Sequence, residues 1–242
     1  MHKMQSLANM LLEPGALAQV STDIFSVIPA AERDHHYDKT AAIYDKVIGN
    51  RFYNRIIWGN WPSDYETFCK SALTSRKHGP VLDAGCGSLV FTAKAYCECT
   101  RPAILMDRSL GMLHRARERL VTLAGEVPDH ITLLQADIFD LPFVDHTFST
   151  VQSFGMLHLF GDTDRLLKAL LRVNQDSGSL FLSSLAANNA LAKRYLTMLK
   201  SHGELTLVEP SETLLERANR SGSSFSMRTI GNMAYLSHDG ES

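Results

Sequence analysis

Three aspartates close three apolar runs in this chain, and a double-glycine turn follows the first of them. The runs are Val81-Leu82-Asp83, Ala103-Ile104-Leu105-Met106-Asp107 and Ile131-Thr132-Leu133-Leu134-Gln135-Ala136-Asp137. Asp83 leads into Ala84-Gly85-Cys86-Gly87-Ser88. Glycines at 85 and 87 let the backbone turn sharply and let a ligand approach without meeting a Cβ. The helical run expected from Leu89 to about Cys97 would present free N–H groups at its start, a seat for a carboxylate or phosphate. An acid roughly twenty residues after such a turn commonly accepts hydrogen bonds from ribose hydroxyls, which is the position of Asp107. Ile138, beside Asp137, is placed to lie on a base. Acids at three successive strand ends outline one nucleoside-sized crevice.

These residues closely resemble the class I S-adenosylmethionine-dependent methyltransferases, with the small-molecule branch that includes quinone C-methyltransferases nearest. The family's first motif, VLDxGCGxG, is matched from Val81 to Ser88, while Leu89 stands where the third glycine is usual. The second motif appears as Asp107-Arg108-Ser109-Leu110-Gly111-Met112-Leu113, and Asp137 through Phe148 supplies the "D-x-x-x-LPF-x-x-x-x-F" run. Leu157-His158 follows the fourth strand, Ser149 to Ser153. The resemblance covers roughly Tyr37 to the C-terminus. It implies that S-adenosyl-L-methionine binds at Asp83, Ala84, Gly85, Cys86, Gly87, Asp107, Arg108, Met112, Asp137, Ile138 and Ser153. Tyr44 joins that set, since the branch often has Tyr-Asp there, near the cofactor carboxylate. It also implies a lid built from the segment before the first motif. Leu89, at the expected helix start, would narrow the approach to the cofactor's amino-acid end.

Methyl transfer asks little covalent help, because a sulfonium already makes its methyl electrophilic. The protein must align a nucleophile behind that methyl and exclude water, and alignment supplies up to roughly 7–11 kcal/mol in ideal intramolecular cases. A base matters only if the nucleophile carries a proton that must leave. His158 is the candidate catalytic base, because a neutral imidazole of ordinary pKa near ~6.5 can take a proton from a phenol or enol. No clustered Asp/Glu/His set suited to magnesium is visible in the sequence, so transfer without a metal is expected. The acceptor is expected to be a small, aromatic or apolar molecule, gripped by lid aromatics. His35, His36 and Tyr37 are placed to close the site from the N-terminal side. Trp58 reads as packing between lid helices, and His114 as a solvated helix face. Two alternatives stay open. One is a methyltransferase-like binding protein without turnover. The other is an NAD-dependent oxidoreductase, against which the third glycine of GxGxxG would fall at Val90. The Asn- or Asp-Pro-Pro-Tyr run of amino-methylating DNA enzymes is replaced here by Ser153-Phe154-Gly155-Met156.

Around these residues, apolar runs alternate with helical periodicity: strands near 80–84, 103–107, 131–135, 147–153 and 178–185, with helices at 64–75, 88–99, 109–124, 162–173 and 188–201. A helix from 211 to about 221, with Thr213 and Glu216 at capping-box spacing, precedes strands at 223–229 and 232–237. The pattern predicts an α/β fold: one doubly wound, mostly parallel Rossmann-like sheet of about seven strands, its last hairpin antiparallel, with an N-terminal helical lid. The expected divisions are an extension at 1–34, a helical lid at 35–78 and the cofactor-binding core at 79–242. Removing 1–34 is expected to leave cofactor affinity intact.

The 242 residues are 45% hydrophobic, enough for a substantial core. Lys and Arg number 24 against 26 for Asp and Glu, so no strong field recruits nucleic acid or an anionic membrane. No apolar run approaches the ~20 residues that span a bilayer. The first twenty residues faintly imitate a signal peptide, but Asn9, Glu13 and Pro14 interrupt them, and a cytoplasmic location is expected. Cys69, Cys86, Cys97 and Cys99 match neither a zinc knuckle nor a disulfide framework and read as reduced thiols.

Overall fold

The computed structural model describes residues 2–32, 54–76 and 78–240. Nine strands form one sheet: β1 (Ala18–Ser21), β2 (Ile24–Ser26), β3 (Val81–Ala84), β4 (Ala103–Asp107), β5 (Ile131–Gln135), β6 (Phe148–Ser153), β7 (Asn174–Leu185), β8 (Ser226–Ile230) and β9 (Met233–Asp239). Their spatial order is β1-β2-β5-β4-β3-β6-β7-β9-β8. The six strands from β2 to β7 pair in parallel. β1 on β2 and the β8–β9 hairpin on β7 are antiparallel. From β3 the chain winds outward through β4 to β5, then returns to β3's other side as β6. The switch point of this doubly wound sheet therefore lies between β3 and β6, where such folds bind ligands at the strands' carboxyl ends.

Burial on both faces follows from the period-two alternation of side chains. Leu82, Ala84, Ile104, Met106 and Leu134 face one apolar cluster, with Leu166, Leu167 and Leu170 of a helix at Thr163–Val173. Val81, Ala103, Leu105, Ile131 and Leu133 face the other, with Leu113, Ala116 and Leu120 of a helix at Leu110–Ala124. Such two-sided burial explains why these strands read as continuous apolar runs. The α-helices among the described residues are α1 (His2–Ala8), α2 (Pro62–Ser75), α3 (Ala93–Glu98), α4 (Leu110–Ala124), α5 (Thr163–Val173), α6 (Ala190–Ser201) and α7 (Ser211–Asn219). Ser109 and Asp162 cap α4 and α5, their side chains accepting from Met112 N and Arg165 N. α7 begins at Ser211 without a side-chain cap, so the Thr213–Glu216 box is not formed.

The largest departure is at the N-terminus. Residues 2–32, expected to be an extension outside the core, supply two strands of the sheet. Ile24, Phe25 and Ser26 pair in register with Leu133, Leu134 and Gln135. Leu7, Leu11, Leu17, Ile24 and Phe25 are buried, and the Lys3 ammonium donates to the carbonyls of Val127 and Pro128. Asp23 in the β1–β2 turn pairs with Arg117 of α4. Within the segment expected as a lid, the described part holds a π-helical turn at Asn54–Trp58 and α2. Trp58 is buried, as a packing residue should be, but it packs edge-on against Tyr195 of α6 and not between lid helices as expected. His35, His36, Tyr37 and Tyr44 lie outside the described residues.

Candidate functional site

The glycine turn is fastened to the neighbouring strand: Gly85 N and Cys86 N donate to the carbonyl of Met106, at 2.8 and 2.9 Å. Gly85 has a φ of +82°, and a Cβ there would meet Met156 Cε at 2.7 Å and Sδ at 2.8 Å. The conformation demands glycine, and the contact sets the flexible end of Met156, from the loop after β6, against the turn. Gly87, with a φ of +57°, has no atom within 4 Å of a Cβ position. Open space lies over Gly87, as a ligand cradle requires.

Leu89 also has a positive φ, +57°, the conformation that favours glycine. Leucine is tolerated because its side chain is buried with Ile24, Val81 and Leu113 in the apolar cluster. It therefore does not narrow the crevice, contrary to the sequence-based expectation. Nor does the helix start there: α3 begins at Ala93, after further turns.

Asp83 is buried beneath the turn. Its Oδ2 accepts from Tyr96 Oη at 2.5 Å and from Gln152 Nε2 at 3.1 Å, while Oδ1 is buried without a partner. Desolvation pushes its pKa up to about 6, against the lowering pull of Tyr96 and Gln152. Tyr96 and Gln152 also touch each other, and Cys69 adjoins them. Sequence reasoning missed Tyr96 and Gln152; an aromatic hydroxyl on the helix after a glycine turn carries no motif signal.

Asp107, at the end of β4, accepts from Gly87 N at 2.9 Å through Oδ2 and from Ser109 N at 2.9 Å through Oδ1. Burial raises its pKa, opposed by these backbone N–H donors. Asp137 follows β5. Its Oδ1 accepts from Phe139 N at 2.8 Å, and its Oδ2 pairs with the guanidinium of Arg108. Ile138 is buried beside it, and Met112 is half-buried on the first turn of α4. Cys86 is half-buried, and desolvation holds its thiol well above the ordinary range. Ala84 and Ser153 lie inside the sheet, with Ser153 Oγ donating to the carbonyl of Ala84 at 2.7 Å. They brace β3 against β6 and offer no side-chain atom to a ligand. Asp107, Asp137, Arg108, Ile138, Met112 and the glycine turn share the carboxyl ends of β3, β4 and β5.

His158 sits on a single 3-10 turn, Leu157–Leu159, beyond β6. Its Nδ1 accepts from Leu185 N at 3.2 Å, which places the ring hydrogen on Nε2. Burial pushes its pKa down to about 4. At neutral pH the ring is an uncharged donor through Nε2–H, with no lone pair free to take a proton. The expected role of general base is corrected on this ground.

A surface cleft of about 480 Å³ lies at the other end of the sheet, before β3 and β4, lined by Lys70, Arg76, Glu98 and Arg101 among others. Lys70 is paired with Glu66 and Glu98, Arg101 donates to Leu73 O, Gly79 O, Ser149 and Thr150, and Arg76 lies 3.8 Å from Asp239 with no hydrogen-bond partner for its Nε and Nη2 among the described residues. Among the described residues, no three His, Cys, Asp or Glu side chains are grouped to hold a metal ion. None of the described helices is long and apolar enough to cross a membrane.

The strand order is that of a doubly wound sheet, and its strand-end site resembles that of class I S-adenosylmethionine-dependent methyltransferases. Residues 81–178 match a family model described as a methyltransferase domain. In sequence the likeness is to quinone C-methyltransferases. The demethylmenaquinone methyltransferase of Thermobifida fusca is 30% identical over 155 residues, 63% of each chain. The ubiquinone/menaquinone biosynthesis C-methyltransferase UbiE of Haemophilus ducreyi is 36% identical over 110 residues, 44% of this chain and 41% of that one. The chain thus spans less than two thirds of the length of these curated relatives. Among solved structures, the phosphoethanolamine N-methyltransferase 2 of Haemonchus contortus, bound to phosphomonomethylethanolamine and S-adenosylhomocysteine, superposes with a TM-score of 0.65. It is 16% identical, covering 87% of this chain and 60% of that one. A geranyl diphosphate C-methyltransferase from Streptomyces coelicolor matches with a TM-score of 0.59 at 13% identity, over 74% of this chain and 76% of that one. These two share the fold.

Proposed function

We propose that the protein transfers a methyl group from S-adenosylmethionine to a small apolar or aromatic acceptor, with the quinone-type rings of its sequence relatives as the leading class. The observation that carries this reading is the grouping of Asp107 and Asp137 with the open space over Gly87 at the carboxyl ends of β3, β4 and β5, next to the sheet's switch point. The cofactor fits that grouping. Asp107 offers carboxylate oxygens to a ribose diol, and the carboxylate of Asp137 with Ile138 suits an adenine edge and face. The cradle at Gly87 admits the amino-acid end.

The cofactor supplies an electrophilic methyl on sulfonium; the chain supplies position. Asp107 holds the glycine turn through Gly87 N and so couples the ribose site to the turn. Met156, which lies against the turn from the β6 side and is only half-buried, has apolar surface to offer an acceptor. His158 serves as a hydrogen-bond donor and not as the base. A proton released by the acceptor therefore leaves to solvent or to another group.

Two measurements test the reading. Calorimetry with S-adenosylhomocysteine on the wild-type protein should show binding, and Asp107→Ala should weaken it by about 1–3 kcal/mol, the cost of leaving buried donors unpaired. Label from methyl-labelled S-adenosylmethionine should enter the organic extract when reduced quinones are supplied. Absence of any S-adenosylhomocysteine binding would sink the assignment. Binding without transfer to any of a broad acceptor panel would favour a binding protein instead.

A further inference from the structure

We propose that Arg108 is a latch on the nucleoside end of the crevice: paired with Asp137, it competes with the adenine for that carboxylate, so that cofactor binding exchanges one partner for the other. This inference rests on the cofactor reading above.

Arg108 follows β4 and Asp137 follows β5, so their ion pair bridges the carboxyl ends of two adjacent strands, where the ligand binds. Neither partner is free to drift. Gln135 Nε2 donates to the carbonyl of Arg108 at 2.9 Å, and Ser26 Oγ donates to Gln135 Oε1 at 2.8 Å. The backbone of Arg108 is thus fixed from behind by a buried chain that starts in the N-terminal strand. Phe139 N fixes Asp137 Oδ1, leaving Oδ2 directed to the guanidinium. The Arg108 side chain itself is 62% exposed and has no other partner among the described residues, so it can swing away at little cost. An exchange of this kind has a distinctive sign. A pair this exposed is weak and sensitive to salt. Breaking it opposes binding, so whatever weakens it should help binding.

The experiment is calorimetric titration of S-adenosylhomocysteine into the wild-type, Arg108→Ala and Arg108→Lys proteins, from about 0.01 M to about 1 M salt, where the screening length falls from ~30 to ~3 Å. Arg108→Ala should bind about two- to fivefold more tightly than wild type at low salt, a range set by the modest strength of exposed ion pairs. Wild type and Arg108→Lys should tighten as salt rises, while Arg108→Ala stays flat. Backbone support from Gln135 and the turn at Phe139 predicts an unchanged melting temperature in all three. Weaker binding by Arg108→Ala would mean that the guanidinium holds the cofactor, and unchanged binding would mean that it is a bystander; either result overturns the latch. Wild type that binds no S-adenosylhomocysteine would instead refute the cofactor reading.

Discussion

Leu89 sets a backbone preference against a packing gain. A left-handed conformation costs a non-glycine residue about 1–2 kcal/mol, while removing a buried leucine side chain costs about 2–5 kcal/mol. Packing wins. Leu89→Gly, which restores the residue usual at this motif position, should therefore destabilise the protein by about 1–3 kcal/mol in urea unfolding. Since the side chain points into the core and not the crevice, S-adenosylhomocysteine affinity should stay within about twofold of wild type, well under the ~1.4 kcal/mol of a tenfold change. A stabilised variant would show that the strain outweighs the burial. Gly85, Gly87, Asp107 and Asp137 were legible in the sequence because their spacing encodes a requirement on the backbone and on strand ends. The tautomer of His158 was not. It depends on Leu185 N, twenty-seven residues away, and no local pattern records that bond.

Among the elements, β3 to β5 announced themselves as apolar runs with an acid at or just past their ends, because both faces of a parallel sheet are buried. β1 and β2 did not. Four mixed residues and a three-residue strand are too short to display a period, and only pairing with β5 makes them strands. α3 came out shorter than its helical pattern, since the left-handed Leu89 and the turns after it delay the helix to Ala93. The expected tolerance to removing residues 1–34 is accordingly replaced by its opposite. That deletion strips five buried apolar side chains and bares the edge of β5. Each such side chain is worth about 1.5–3 kcal/mol, so together they rival a typical net stability of about 5–15 kcal/mol. The truncated protein should lose its cooperative thermal transition and aggregate. A soluble fragment that melts cooperatively and still binds S-adenosylhomocysteine would show the strands to be dispensable.

For the whole molecule, two buried groups tilt stability against pH in opposite directions. His158 titrates near 6.5 when unfolded and about 4 when folded, so between these values the unfolded chain holds the extra proton and stability falls as pH falls. Asp83 moves the other way, from 3.8 to about 6, so in that window the folded chain holds the extra proton and stability falls as pH rises. Between about pH 4 and 6 the two slopes oppose each other. Asp83→Asn should therefore lose melting temperature on acidification more steeply than wild type over this range, and His158→Gln less steeply. Parallel profiles for the three proteins would show that neither group carries the coupling.

The pairing of β2 with β5 also has a consequence for how the chain is made. Ser26 waits for Gln135, 109 positions downstream. At a synthesis rate of about 5–20 residues per second, the partner strand emerges from the ribosome roughly 5–20 s later. Throughout that interval Leu7, Leu11, Leu17, Ile24 and Phe25 have no sheet to cover them, and a short strand with free edges is open to pairing with a neighbouring nascent chain. This stretch thus docks only after a hundred or more later residues have emerged, and a chaperone that shields apolar nascent segments would find a client stretch there.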